Sequence, residues 1–85
     1  QKLLFTTNIN INTLCVGDII VFNNTLSKCK RLMKSPTDLI IHRIIERHFD
    51  KNGIYFITKG DNNYINDDCK IRNKYINSVM FGLIY

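Results

Sequence analysis

The chain has 85 residues, a net charge of +5, a sequence pI near 9.3 and an apolar share of 45%. A chain this short builds one core and buries about 60–65% of its unfolded surface, so residues 1–85 are expected to form a single domain. The apolar share argues against disorder, and no apolar run approaches the roughly 20 residues of a membrane-spanning helix.

In chain order, residues 2–7 (KLLFTT) are β-prone and predict a first strand. Asn8, Ile9, Asn10, Ile11 and Asn12 then alternate polar with apolar side chains, as an exposed edge strand or extended loop does. Gly17-Asp18 punctuates the chain before Ile19, Ile20, Val21 and Phe22, a β-branched run that predicts a buried strand. Leu26, Cys29 and Met33 recur at helical spacing behind Asn24-Thr25, a pair suited to N-capping, and Pro36 blocks continuation. A short amphipathic helix or an ordered loop is expected there.

Residues 39–49 and 54–58 read as two strands of a hairpin. Asp50-Lys51-Asn52-Gly53 supplies the turn, with Gly53 free to adopt positive φ. Residues 60–68 are polar and turn-rich, hence a surface loop. Residues 71–76 and 79–84 are expected to be closing strands, with Gly82 at a bulge or close-packing point. The predicted architecture is mainly β, an irregular β barrel or folded sheet with one short helix at most.

Much of the positive charge lies in one run, Lys28, Lys30, Arg31 and Lys34. Such a run is ordinarily a solvated face, though it permits binding to nucleic acid, anionic lipid or an acidic peptide. No aromatic residue interleaves it, which weakens the case for base stacking, and nucleic acid is not the expected partner. The three cysteines, Cys15, Cys29 and Cys69, are widely spaced and odd in number. No disulfide framework is therefore expected, and reduced thiols in a cytosol-facing protein are the simpler reading. There is no Cys-x-x-Cys pair, and His42 and His48 lie six apart on an expected strand, so neither a metal site nor a cofactor is anticipated. The chain begins at Gln1, and membrane association is expected only if an anchor lies outside these residues.

Gly17-Asp18 ahead of residues 19–22, Ile41-His42-Arg43 and Thr58-Lys59-Gly60-Asp61-Asn62-Asn63, in that order and spacing, together resemble the signal peptidase I family of serine peptidases. Residues 13–22 (TLCVGDIIVF) are similar to the Gly-Asp segment that follows the nucleophile, and residues 41–45 (IHRII) to the block carrying the general base. Thr58-Lys59-Gly60-Asp61-Asn62-Asn63, followed by Asp67-Asp68, resembles the family's Lys-Gly-Asp-Asn block, and Val79-Met80-Phe81-Gly82 its last strand. Histidine at position 42, where bacterial leader peptidases place lysine, matches the endoplasmic-reticulum, archaeal and sporulation type. That type uses a serine hydroxyl as nucleophile, an imidazole as base and a carboxylate that orients the imidazole. The resemblance assigns the base to His42 and the carboxylate to Asp67, with Asp68 as alternative and Asp61 as a loop-tying residue. Without it, a lone histidine amid isoleucines is ordinarily a satisfied structural residue.

The same register places Ile9 where the family keeps its serine, with Asn10 and Asn12 at the methionine and proline positions. An isoleucine side chain has no lone pair or acidic proton to activate. Thr7 is displaced by about 6–7 Å along a strand, Thr13 lies four residues downstream, and Cys15 is poorly placed. The expected function is that of a catalytically inactive, signal-peptidase-like domain. It would bind a leader or signal peptide, or a partner protein of peptide maturation, along Thr7, Asn8, Ile9, Asn10, Ile11 and Asn12 by strand addition. The plainer alternative is that Ile9 and Ile11 complete the core. Two other functions stay open: an active serine endopeptidase with another nucleophile, and a basic nucleic-acid-binding accessory domain, imaginable through the related self-cleaving repressor domains.

Overall fold

Short β-branched and aromatic runs separated by polar turns fold into one six-stranded sheet. The strands are β1 (Lys2–Thr6), β2 (Ile19–Asn23), β3 (Leu39–Asp50), β4 (Gly53–Lys59), β5 (Ile71–Arg72) and β6 (Ile76–Ile84). The computed structural model describes residues 2–29, 32 and 37–84. Lys30, Arg31 and Lys34 of the basic run, with Met33 and Pro36, lie outside the described residues. The spatial order is β1-β6-β2-β3-β4-β5, and every pairing is antiparallel. Among the described residues β1 and β5 do not pair with each other, so the architecture is an open folded sheet and not a closed barrel.

The period of two along β3 sets the inner face: Ile40 and Ile44 are buried, whereas Leu39 and Ile41 are exposed. Ile20, Phe22, Ile44, Phe56 and Ile71 are wholly buried and form the centre of the core. Each such side chain contributes about 1.5–3 kcal/mol relative to exposure. The hairpin turn forms where expected, with Gly53 at φ 105°. Three register shifts fold the sheet. One leaves Phe81 unmatched, because Leu4 faces Gly82 while Phe5 faces Met80. Gly82 thus adjoins a bulge, but a Cβ there would meet Leu4 only at an ordinary 3.9 Å.

Four local features depart from the sequence reading. Residues 7–10 form no strand and Ile11–Thr13 is a 3-10 turn, because the Asn10 side chain accepts the Asn12 N–H and draws the backbone out of extended form. Ile9 and Ile11 both pack against the core. The helix, α1, is the single turn Asn24–Ser27, capped by Asn23 and ended by Lys28 in the left-handed region. The expected strand over residues 71–76 is broken by a 3-10 turn at Asn73–Tyr75. Finally, Cys29 and Cys69, 40 residues apart, form a disulfide with their Cα atoms 4.9 Å apart. This corrects the expectation of reduced thiols: an odd count forbids complete pairing, not one bridge, and Cys15 is left free and exposed.

Candidate functional site

His42 sits on β3 between Ile40 and Ile44, opposite Ile20 of β2, so its parity turns the ring toward the core side. The ring meets Phe22 edge-on at 6.3 Å between centroids, and the side chain is 15% exposed. On β4, Thr58 pairs with Ile44 and therefore faces the same side. The chain then turns at Gly60 and returns along residues 60–67, where the Asp67 N–H donates to the Thr58 carbonyl at 2.8 Å. That return delivers a carboxylate to the histidine. Asp67 Oδ2 lies 2.6 Å from His42 Nδ1 and accepts a 2.5 Å hydrogen bond from Thr58 Oγ1.

The Asp67 side chain is only 2% exposed, and two donors at one oxygen offset the cost of burying its charge. A carboxylate only accepts, so Nδ1 carries a proton, and in the neutral ring the lone pair falls to Nε2. This is the arrangement that makes a neutral imidazole a general base.

The loop is tied down around the pair. Arg43, next to His42 on β3, grips Asp61 through two 3.0 Å hydrogen bonds and donates a third to the Gly17 carbonyl. Asp61 thus ties the loop down through a guanidinium, and Arg43 holds its carboxyl below the usual range. Lys59 Nζ closes the turn by donating to the carbonyls of Gly60 and Asn63. Asp68, the alternative carboxylate, is exposed, and it is Asp67 that meets the ring.

No hydroxyl or thiol among the described residues hydrogen-bonds His42. Thr13 Oγ1 donates to the Asn10 carbonyl, and the Cys15 thiol faces Asp18 Oδ2 at 3.7 Å. Ile9 is half-buried against the core. Two further features were not singled out from the sequence. Thr58 shares the Asp67 oxygen, which its inward parity with Phe56 could have signalled. A length of β3 also lacks a strand partner: β4 pairing stops at Arg43 with Lys59, so residues 39–42 are open on that side among the described residues. Beside Asp67 lies a groove of about 300 Å³ bordered by Leu32, Asn63, Tyr64 and Ile65, with Tyr64 and Ile65 exposed.

The folded antiparallel sheet thus carries a buried carboxylate hydrogen-bonded to a histidine Nδ1. Sequence comparison finds a partial similarity to signal peptidase subunits. Over 66 residues, 76% of this chain, it is 38% identical to the signal peptidase complex catalytic subunit SEC11C of Homo sapiens, and equally to that of Mus musculus. Over 34 residues, 40% of this chain, it is 56% identical to the uncharacterized protein MJ0260 of Methanocaldococcus jannaschii. The chain spans 30% of the length of the SEC11C subunits and 17% of MJ0260. The chain is thus signal-peptidase-like. No family model and no solved structure matches it.

Proposed function

We propose that this domain holds an extended leader or signal peptide, or a segment of a partner protein, without cleaving it. The observation that carries the reading is a His42–Asp67 pair beside an open length of β3, with a half-buried isoleucine against the core at the position the resemblance gives to serine. A peptide added at residues 39–42 pairs through main-chain groups and needs no nucleophile. The Tyr64–Ile65 side of the groove next to Asp67 receives alternate apolar side chains.

Removing the nucleophile of a triad leaves at most about 10³–10⁴-fold acceleration, too little to cut a peptide bond on a laboratory timescale. Incubation with signal-type peptides, read by mass spectrometry, should return them intact, and fluorophosphonates should not label the protein. A second reading, catalysis with another nucleophile, is favoured by the intact base pair. A cleaved product that disappears on Thr7→Ala, Thr13→Ala or Cys15→Ala would establish that reading and overturn the first.

A further inference from the structure

Away from His42 and Asp67, two grooves meet at the 3-10 turn Asn73–Tyr75 and share Lys74 and Tyr75. The larger, about 690 Å³, has Ile11 and Ile54 in its lining and Arg72 at its rim. The smaller, about 410 Å³, runs to α1, with Leu26 in its lining and Lys28 at its lip. No acidic side chain lines either groove among the described residues. Arg72 is committed to Asp50 at 2.7 Å and to the Gly53 carbonyl. Lys28 and Lys74, by contrast, form no ion pair among the described residues.

We infer that these joined grooves are a binding site for an acidic peptide segment whose carboxylates alternate with apolar side chains. The carboxylates meet the ammonium groups of Lys28 and Lys74, and the apolar side chains cover Ile11, Ile54 and Leu26. Charge complementarity selects the occupant, and the aromatic rings select peptide over nucleic acid. Tyr75 is only half-exposed and has Lys74 Nζ over its ring at 5.4 Å. Tyr55 is flanked by Lys70, Arg72 and the stacked His48 ring. Each ring thus has at least one face already taken by a cation or another ring, which disfavours the base stacking that single-stranded nucleic acid relies on.

Lys28 adds a second line of argument. It occupies the left-handed C-cap position at φ 56°, ψ 41°, where glycine carries no Cβ penalty. A lysine there sacrifices stability and supplies charge at the lip of the groove.

The test uses fluorescence anisotropy with a fluorescein-labelled, N-acetylated heptapeptide alternating glutamate with leucine. Its lysine–leucine counterpart and a single-stranded heptanucleotide are run alongside. The acidic peptide should bind and the basic one should not. Lys74→Gln should weaken binding about three- to fivefold. Lys28→Gly should weaken it similarly while raising the thermal midpoint, two effects that a merely structural lysine does not combine. Lys2→Gln removes the same charge from β1 and should leave affinity unchanged. Equal weakening by Lys2→Gln, tighter binding of the oligonucleotide with the same sensitivity to Lys74→Gln, or failure of the acidic peptide to bind overturns the inference.

Discussion

Gly60 lies against the ring of His42, and space rather than backbone conformation keeps it a glycine. A Cβ at this position would stand 2.9 Å from His42 Nε2 and 2.8 Å from Asn63 Nδ2, closer than real contacts allow. Gly60→Ala should therefore displace the imidazole and cost about 1–3 kcal/mol. Urea denaturation and the His42 ring resonances check this together; a neutral variant with an unmoved ring would show that the loop yields freely. Asp67→Asn keeps the shape of the side chain but exchanges a charged acceptor for a neutral amide between Nδ1 and Thr58 Oγ1. A loss of about 1–3 kcal/mol is expected, with a smaller loss for Thr58→Val, which removes one donor. His42 and Asp67 were legible as a pair because their two motifs survive in register. Gly60 was visible as a motif residue, but its closeness to Nε2 depends on how the loop folds back, which no local pattern encodes.

Among the elements, β2, β3 and β4 were legible because β-branched side chains and a turn glycine point the same way locally as the sheet does globally. The segment from Thr7 to Asn12 was not, since alternation of Asn with Ile describes a strand and a capped turn equally well, and the Asn10 side chain decides for the turn. The Cys29–Cys69 bridge was also illegible: pairing depends on a 4.9 Å approach across 40 residues. It ties the end of α1 to the segment just beyond Asp67. By the chain-entropy account a loop of this length gives about 4 kcal/mol. Reduction, or Cys29→Ser with Cys69→Ser, should lower stability on that scale in urea and speed amide exchange along residues 66–70. Unchanged exchange there would show that the Asp67 loop is held by its own hydrogen bonds alone.

The β3–β4 hairpin carries a second device, Asp50 hydrogen-bonded by Arg72 and Lys70. These partners hold its carboxyl far below the usual carboxylate range, as Arg43 lowers that of Asp61. Because the folded-state values are depressed, the stability they contribute is full above the unfolded value of about 4 and is lost as pH falls through the folded values. The thermal midpoint should decline from about pH 5 downward, and Asp50→Asn should flatten that decline. A variant with the same acid dependence as the parent would assign the lability to other carboxylates.

For the molecule as a whole, two regions are proposed to meet peptides. One is the open length of β3 beside His42 and Asp67, and the other is the basic junction at Lys28 and Lys74. The signal-peptidase-like relationship was readable from three motifs spread over the chain, whereas the position of the open edge needed the pairing register of β3 with β4. That edge is where the account is most exposed. Titration of a signal-type peptide into labelled protein, followed by backbone amide shifts, tests it directly. The account predicts the largest shifts at residues 39–42 and in the Tyr64–Asp67 part of the loop, an intact peptide throughout, and loss of those shifts when a proline is placed mid-peptide. Shifts that bypass residues 39–42, or a peptide that is cut during the titration, would contradict it.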